Sequence, residues 1–599
     1  MKINHIKYSM LLMLSLWISS CELTDLDINE DPNNPTEAAP NLLLSNILLT
    51  GSEIFAEDLN SNMHSFVGIL AEQGDDGFDL TNNTYNLDWQ ELFYDPLKDV
   101  QALIDIAEEQ GNNPYYLGIG QLLKAYYYSL MVELWGDIPY TEALKADSEE
   151  VIKYPKYDDD AAIYQDLLAL IDEAIANLQQ NSVVAVTGDP IYNGDVSQWI
   201  KMGKSLKLRM LINTRLVQDN SAAITALIDE NDLILSGSDD FTFQFSSINN
   251  PENENRHPWY VDGYTTSAYN FTYLGHQFMV EMLDFEDPRR PFYIKRQTTT
   301  ILDQNDASDR QTTPCSQITG CTYAYLVLNP AMIERLYSDK GKAFDADAEA
   351  FLAGIFGRDR SDPSGIPLDG AIRSAIGVYP AAGLFDDKPE SASGNAGTGA
   401  GLFPMITSEM VKFYKMEAIL TGNYAGTEAD VREMLEDVIR EHIDKVVAFG
   451  RENDPSGVPD EGENIDEYIG KPLGDYTLTT ENADGEEITT NETGAINNYV
   501  NLWLARYDQA PTTNAKLNVV LKQAWFTNFG NGFEIYNAYR RTGFPNDLQI
   551  PIQPRRDFAL RLPYAQDDLN FNQSVTAEQK DIAFDRDKIF LDEVDGEGE

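Results

Sequence analysis

Basic residues are scarce in this sequence. Of its 599 residues, 43 are Lys or Arg against 98 Asp or Glu, which gives a formal net charge of −55 at pH 7. A nucleic-acid-binding protein needs a basic surface to displace the counterions of the phosphate backbone, so this composition argues against nucleic acid as a partner. It also argues against attachment to anionic lipid by surface charge alone. Because 43% of the residues are hydrophobic, the chain can still build a core, and wholesale disorder is excluded.

The motifs of common catalytic and cofactor sites are missing as well. The sequence has no HExxH zinc motif, and no GxSxG stands at a strand-to-helix turn. Gly203-Lys204-Ser205 resembles the end of a phosphate-binding loop, but Gln198 stands where that loop needs glycine, and the segment has an amphipathic helical pattern. Among 98 acidic residues, a glycosidase carboxylate pair cannot be identified. We therefore expect no catalytic residues, no cofactor and no metal site.

The N-terminus has the pattern of a bacterial lipoprotein signal peptide. Basic residues precede an apolar run, Met10–Ile18, that is too short to cross a hydrocarbon layer of about 30 Å. The following Ile-Ser-Ser-Cys21 resembles a lipobox, whose cysteine is lipidated and becomes the first residue after cleavage. We predict a signal peptide at 1–20, lipidation of Cys21 and an acidic tether at 21–40. An ordinary secretory signal with an incidental cysteine is the alternative.

Only two other cysteines are present, Cys315 and Cys321. In an exported chain they are candidates for one disulfide that closes a short loop, and free thiols are the alternative. Two cysteines without a nearby histidine make a poor zinc site, because a structural zinc takes four ligands.

Helical periodicity dominates the chain from residue 41 to residue 235. Three segments place apolar residues at three- and four-residue steps along one stripe: Tyr115–Trp135, Asp159–Gln180 and Val196–Val217. Helices of this length joined by short turns are typical of the antiparallel pairs of tetratricopeptide-type solenoids. We predict a mostly α fold in which this part forms an α-solenoid scaffold.

The pattern changes after residue 235. Turn dipeptides, scattered aromatic residues and a Gly/Ala/Ser stretch fill the middle of the chain, and such regions commonly carry functional loops. Helical periodicity returns in four segments, 408–418, 428–449, 514–529 and 533–541. We predict that 236–577 forms a loop-rich ligand-binding region with C-terminal helices packed on the scaffold. The charged tail, 578–599, should add little to the core.

Aromatic residues are the remaining signal, at 11% of the chain. A sugar ring has an apolar C–H face and a rim of hydroxyls, so an exposed aromatic face beside Asn, Asp or Arg suits it. The candidate ligand-binding residues are those in turn-rich segments: Phe78, Tyr85, Trp89, Trp259, Tyr260, Tyr264 and Tyr269. For each ring, packing against the scaffold is the alternative. A local basic patch is also expected from Arg289, Arg290, Lys295 and Arg296.

Three stretches resemble the SusD/RagB-like family, the surface lipoproteins of Bacteroidota nutrient-uptake systems. Leu123–Ala143 resembles the family's helix that ends in a Gly-Asp-Ile-Pro turn, and Asp189–Arg209 resembles its tryptophan-to-arginine helix. Arg540–Pro545, with the sequence Arg-Arg-Thr-Gly-Phe-Pro, resembles its C-terminal signature. The matches occur in order and cover nearly the whole chain after the signal peptide.

The resemblance implies tetratricopeptide-like helix pairs with an irregular C-terminal part packed on them. It implies a non-enzymatic protein on the outer membrane, facing the cell exterior, that acts as a lid on a SusC-like TonB-dependent transporter. The signature residues Gly136, Gly543 and Trp199 would then be structural. We favour an oligosaccharide as the captured ligand. A peptide ligand, a surface glycan-degrading enzyme and a solenoid that binds only protein are the alternatives.

Overall fold

The structure is a computed structural model, and we describe its residues 39–72, 79–145, 151–250, 254–265, 272–297, 357–361, 373–458, 478–481, 487–490, 495–552 and 556–592. Within them the α-helices, numbered in chain order, are α1 (Pro40–Ile54), α2 (Asn60–Phe66), α3 (Asn86–Tyr94), α4 (Pro96–Gln110), α5 (Pro114–Trp135), α6 (Asp160–Leu178), α7 (Val196–Asn213), α8 (Ser221–Glu230), α9 (Pro258–Tyr260), α10 (His276–Asp284), α11 (Arg290–Tyr293), α12 (Ser408–Leu420), α13 (Glu428–Asn453), α14 (Ala495–Gln509), α15 (Thr513–Thr527), α16 (Gly532–Thr542), α17 (Gln566–Phe571) and α18 (Ala577–Lys580). The predicted mostly α fold is confirmed.

The strands are short and pair only in twos within the described residues. They are β1 (Leu70–Glu72), β2 (Ile138–Pro139), β3 (Tyr157–Asp158), β4 (Phe241–Gln244), β5 (Thr272–Leu274), β6 (Ile294–Lys295), β7 (Ala375–Ile376), β8 (Leu402–Ile406), β9 (Leu478–Glu481) and β10 (Glu487–Thr490). The antiparallel pairs are β1–β5, β2–β3, β4–β8, β6–β7 and β9–β10. They join loops to the helical body rather than forming a sheet layer.

The predicted helices begin and end where the local chemistry dictates. The Asp159 carboxylate accepts a hydrogen bond of 2.9 Å from the Ala162 amide and so caps α6. Helices α5 and α16 stop at Gly136 and Gly543, whose φ angles of 73° and 70° lie in the left-handed region that favours glycine. Gly203-Lys204-Ser205 lies inside α7, where the backbone amides are used by the helix and cannot cradle a phosphate.

Helices α4, α5, α6 and α7 pack in succession, α4 on α5, α5 on α6 and α6 on α7. This is the expected arrangement of helix pairs in a tetratricopeptide-like scaffold, and it follows from the apolar stripes. The stripe of α7 buries Trp199 completely, and the indole Nε1 donates a hydrogen bond of 2.9 Å to the Asp189 carboxylate. The expectation that Trp199 belongs to the core is confirmed.

Two hydrophobic clusters fill the molecule. The first holds the scaffold helices together with β8, part of α12 and α16, and the C-terminal segment 559–591. The second holds α10, α13, α14 and α15 with the loops between them. Helix α12 serves both, since Tyr414 belongs to the first cluster and Phe413 to the second. The clusters therefore cross the predicted boundary at residue 235, and the division of the chain into separate units stays a prediction.

Two expectations are wrong. The tail after residue 577 contributes to the core, because Phe584, Ile589 and Leu591 are buried in the first cluster. Their apolar side chains are spaced among charged residues, so the overall composition of the tail does not indicate that they are buried. The proposed basic patch is also absent among the described residues, since Arg289 is fully buried with both carboxylate oxygens of Asp287 at 2.9 and 2.6 Å.

The other members of that group are also paired, with Lys295 buried and Arg290 and Arg296 partly buried. The Arg296 guanidinium lies 2.7 Å from the Asp386 carboxylate, which also accepts from Arg290. The Lys295 ammonium is fully buried and donates to the Phe385 carbonyl at 2.9 Å. Each of these basic residues therefore holds a loop in place. Among the described residues, no helix combines the length and apolar character needed to cross a membrane.

Candidate functional site

A surface cavity of about 790 Å³ lies at one edge of the scaffold. Its walls are formed by α3, the first turn of α4, the turn that follows β2, the segment 152–155 that precedes β3, and helix α17 with Asn572. These segments are distant in the sequence and meet because the C-terminal segment packs on the scaffold. This volume lies within the range of about 300–1,000 Å³ that is typical of ligand pockets.

Exposed aromatic side chains are concentrated at this cavity. Among the residues whose burial the structure describes, three aromatic residues are exposed: Tyr94 at 70%, Tyr154 at 41% and Phe571 at 71%. All three line the cavity. Leu87, exposed at 64%, lines it as well. Apolar surface left open to water in one place marks an interaction site more reliably than single exposed residues do.

The floor of the cavity is a buried aromatic cluster around Trp89. This indole is only 3% exposed, and its ring centroid lies 5.4 Å from that of Trp135 and 5.9 Å from that of Tyr157. Tyr564, from the C-terminal segment, packs edge-on against both Trp89 and Tyr157. Trp89, which lines the cavity, is therefore held in a packed aromatic cluster.

A fixed carboxylate stands among the aromatic residues. The Asp567 Oδ2 accepts hydrogen bonds from Asn86 Nδ2 at 2.9 Å and from Gln90 Nε2 at 3.1 Å. The Asp567 amide donates to Asn86 Oδ1 at 2.9 Å, so α3 holds this residue at three points. The neighbouring Asp568 accepts from the Tyr157 hydroxyl. Both carboxylates are thus positioned before any ligand arrives.

The cavity is acidic. Burial raises the pKa of Asp568, and burial and the nearby Asp95 raise the pKa of Glu91. Helix α3 also carries Asp88, whose pKa is raised to about 7 by burial and by Asp58. Two lysines offset part of this charge: Lys153, which is exposed, and Lys98, whose Nζ lies 5.5 Å from the centroid of the Tyr94 ring.

The five predicted ligand-binding residues that the structure describes fall into two separate groups. Tyr85 and Trp89 are buried in the first cluster, and Trp89 lines the cavity as its floor. Trp259, Tyr260 and Tyr264 are buried in the second cluster. Phe78 and Tyr269 lie outside the described residues, as do Cys21, Cys315 and Cys321. Ligand binding by the seven predicted aromatic residues stays a prediction, and for the five described ones the packing alternative accounts for their burial.

The second-cluster aromatics have clear structural partners. The Trp259 indole Nε1 donates to the Ser61 hydroxyl at 2.8 Å. Tyr260 and Tyr264 stack with centroids 5.1 Å apart, and the Tyr264 hydroxyl donates to the Ile376 carbonyl at 2.7 Å. Trp259 also borders a crevice of about 20 Å³. That volume is close to the space of a single water molecule and is too small for a sugar ring.

One group of described carboxylates has the spacing of a metal site. Oxygen atoms of Asp137, Asp159 and Asp160 lie within 4.8 Å of one another. Their hydrogen bonds go to the backbone instead: Asp137 accepts from the Asp160 amide at 3.0 Å, and Asp160 accepts from the Phe590 amide at 3.0 Å. Together with the cap formed by Asp159, these bonds join the start of α6 to the C-terminal segment, and we assign the group a structural role.

The sequence argument missed Tyr94, Tyr154 and Phe571. It searched turn-rich segments, whereas Tyr94 and Phe571 are the last residues of α3 and α17. A usable signal was present in Tyr94, which precedes Asp95-Pro96 and therefore ends one helix just before another begins. The presence of Phe571 in the same cavity as Tyr94 could not be read from the sequence, since it depends on the packing of the C-terminal segment.

Comparisons with known proteins agree with this architecture. Residues 32–323 match a family model named SusD-like_2 and described as "Starch-binding associating with outer membrane". A SusD/RagB family protein from Bacteroides thetaiotaomicron is 18% identical, with a TM-score of 0.61 over 93% of this chain and 99% of that one. A chitin-binding SusD homologue from Flavobacterium johnsoniae is also 18% identical, with a TM-score of 0.54 over 92% of this chain and 98% of that one.

A SusD homologue from Bacteroides fragilis has the same fold at 17% identity, with a TM-score of 0.58 and coverage of 92% of this chain and 98% of the homologue. No curated protein matches the sequence. The family model covers two of the three stretches that carry the resemblance, Leu123–Ala143 and Asp189–Arg209. The solved SusD homologues share the helical fold over most of the chain.

Proposed function

We propose, from the premise that this chain belongs to the SusD/RagB-like family, that it is a cell-surface nutrient-binding lipoprotein which captures an oligosaccharide. In this proposal the captured ligand is passed to a SusC-like TonB-dependent transporter, and Cys21 carries the lipid that holds the protein on the exterior of the outer membrane. The family description, starch-binding and associated with the outer membrane, supports the setting. The lipobox pattern at Cys21 supports the anchor.

The observation that carries the proposal is the cavity lined by all three exposed aromatic residues of the described chain, Tyr94, Tyr154 and Phe571. A ring exposed at 70% or 71%, as in Tyr94 and Phe571, leaves a face open for the C–H surface of a sugar. The Asp567 carboxylate and the Gln90 and Asn572 amides border the same cavity and can meet sugar hydroxyls. Aromatic faces beside fixed polar groups recognise a sugar without covalent chemistry.

We propose binding without turnover. The cavity carboxylates Asp567 and Asp568 are engaged as acceptors by Asn86, Gln90 and Tyr157, an arrangement that orients them as binding groups. A peptide remains the second candidate ligand, because aromatic faces and carboxylates also suit an extended peptide with basic side chains.

The test is isothermal calorimetry with the mature lipoprotein in detergent against neutral, amino and acidic oligosaccharides and a peptide digest. We expect one class of sugar to bind and no product to form. In Tyr94→Ala or Phe571→Ala, affinity should fall by about tenfold or more, because burying an aromatic face is worth ~1.5–3 kcal/mol. The matched control is Ile550→Ala, which removes an apolar side chain that is 79% exposed and lies outside the cavity.

The alternatives predict different outcomes. Heat from the digest and none from any sugar would move the proposal to peptide capture. Formation of shortened sugars would contradict a non-enzymatic role. If neither sugar nor peptide binds but the protein copurifies with a transporter of the outer membrane, the solenoid that binds only protein would be favoured.

A further inference from the structure

The charge of the cavity is a feature that the proposed function does not use. Its lining has four carboxylates and two ammonium groups: Glu91, Glu142, Asp567, Asp568, Lys98 and Lys153. None of the four carboxylates forms an ion pair with either lysine among the pairs found in the described residues. The cavity therefore offers its ligand a net negative field, and the lysines compensate only part of it.

Asp567 is the carboxylate best placed to act on a ligand. Its side chain is exposed, and its Oδ2 and amide are held by Asn86 and Gln90 through the three hydrogen bonds described above. Those bonds fix the orientation of the carboxylate, and both side-chain donors are neutral amides, so no cation of the protein pairs with it through them. A group that is already immobilised loses little conformational entropy when a ligand binds it.

The Asp568 and Glu142 carboxylates accept hydrogen bonds from other parts of the protein. Asp568 accepts from the Tyr157 hydroxyl and ties α17 to β3. The Glu142 Oε2 accepts from the Lys156 amide at 2.9 Å. These two carboxylates are engaged in the wall of the cavity, whereas Asp567 lines the same cavity as the exposed rings of Tyr94 and Phe571.

We propose that the cavity selects glycans without negative charge and favours those with amino groups, and that Asp567 is the residue which determines this selection. The inference rests on the function proposed above and adds the charge class of the ligand. A hydroxyl or an ammonium group donates to the fixed carboxylate, whereas a carboxylate or sulfate on the sugar would meet like charge. Tyr94 and Phe571 supply the stacking faces for either class, so charge alone separates them.

The size of the effect follows from electrostatics at a partly exposed site. Two unit charges about 4 Å apart interact by ~1 kcal/mol in bulk water and several times more where solvent is partly excluded. We therefore expect the amino sugar to lose about five- to tenfold in affinity when the Asp567 charge is removed, and to lose affinity as ionic strength rises, because salt screens exposed charges.

The experiment measures calorimetric affinities of the mature lipoprotein for four tetramers, of glucose, N-acetylglucosamine, glucosamine and galacturonic acid. The expected order places glucosamine first, the two neutral tetramers next and galacturonic acid last, and a neutral tetramer that binds more tightly than glucosamine would overturn the preference for amino groups. Asp567→Asn keeps the shape of the side chain, and it should weaken glucosamine binding by about five- to tenfold and change neutral binding by less than about threefold. The matched control, Asp444→Asn on α13, removes the same charge from an exposed position outside the cavity and should change neither.

Each result decides between outcomes. Galacturonic acid binding as tightly as the neutral tetramers would overturn the charge selection and leave oligosaccharide capture standing. Equal losses in Asp567→Asn and Asp444→Asn would also overturn it, since the effect would then come from overall charge. If none of the four tetramers binds, the charge selection is wrong as stated, and oligosaccharide capture is then decided by the wider panel and by the Tyr94 and Phe571 variants.

Discussion

Two regions of this molecule use the same residue types for opposite purposes. The buried junction, made of Glu133, Arg209, Tyr414, Glu534 and Asn537, lies where the scaffold meets the C-terminal helices. The cavity, lined by Tyr94, Tyr154, Phe571 and Asp567, lies at the edge of the scaffold. Both contain tyrosines and carboxylates, and both join distant parts of the chain.

The difference lies in where the polar atoms find partners. In the junction, Arg209 is 0% exposed and donates to both oxygens of Glu133 at 2.8 and 2.6 Å, and also to Glu534. Tyr414 donates to Glu534, and Asn537 donates to Glu133 at 2.7 Å. In the cavity, rings and a carboxylate face solvent. A residue type therefore indicates ligand binding only where part of its side chain stays exposed to solvent.

The largest effect should come from breaking the junction. In Arg209→Met the apolar length of the side chain is kept, but Glu133 and Glu534 are left buried without their counter-ion. We expect the free energy of unfolding to fall by about 5 kcal/mol, which is the upper end of the range for the loss of one member of a buried ion pair. Chemical denaturation monitored by circular dichroism would measure this.

The control is an exposed pair of the same chemistry. Arg432 Nε lies 2.9 Å from the Asp508 carboxylate, with side chains that are 41% and 48% exposed. Arg432→Met should cost less than about 1 kcal/mol, because water and salt screen such pairs. Equal losses in the two variants would mean that the junction is no more important than a surface pair.

Trp89 combines features of the two regions, since it is buried like the junction residues and also lines the cavity. In Trp89→Ala the contacts with Trp135 and Tyr157 are lost, and we expect unfolding to become easier by about 3 kcal/mol. Tyr94→Ala, a few residues along the same helix, should cost less than about 0.5 kcal/mol. A fully stable Trp89→Ala variant that loses only ligand affinity would instead support the direct ligand contact expected from the sequence.

Glu417 is a buried carboxylate whose ion pairs should make the stability of the protein depend on pH. Burial alone would raise the pKa of Glu417, but Arg541 and Arg215 outweigh it and lower the pKa from 4.5 to about 2. A depressed carboxyl pKa contributes stability above the unfolded value, and this contribution is lost as pH falls through the folded value. A shift of this size corresponds to about 3 kcal/mol.

The measurement is urea unfolding of the natural protein and Glu417→Gln at pH 7, 5 and 3.5. We expect a difference of about 3 kcal/mol at neutral pH that narrows below pH 4.5. Asp444→Asn, which removes an exposed carboxyl, is the control for the loss of one negative charge. A difference that is the same at all three values would contradict the assigned ion pairs.

Much of the scaffold could be predicted because its signals are local. The stripes of α5, α6 and α7, the Asp159 cap and the stop at Gly543 depend on residues within a few positions of each other. The same local pattern excluded a phosphate-binding loop at Gly203. The helix period and the capping residues are sufficient there, since no distant contact is needed.

The cavity could not be predicted because its residues meet only in the folded chain. Tyr94 and Phe571 each end a short helix, and nothing in their neighbourhood distinguishes them from buried tyrosines and phenylalanines. Turn-rich context selected Tyr85 and Trp259 instead, and both rings pack inward with 1% and 4% exposure. A loop aromatic is as often an anchor for the loop as a contact for a ligand, and burial is what separates the two.

The smallest predicted effect concerns the two hydrogen bonds by which Asn86 holds Asp567. Their donors and acceptors are exposed, so Asn86→Ala should change the free energy of unfolding by less than about 1 kcal/mol, because water replaces the lost partners. Affinity for the bound sugar should still fall by about threefold, since the ligand must then immobilise the Asp567 carboxylate itself. Gln179→Ala, which removes an exposed amide at the end of α6, is the control for both measurements. The hydrogen bonds of the junction stabilise the fold, whereas those of the cavity orient Asp567 for a ligand. A loss of stability without a loss of affinity in Asn86→Ala would contradict that distinction.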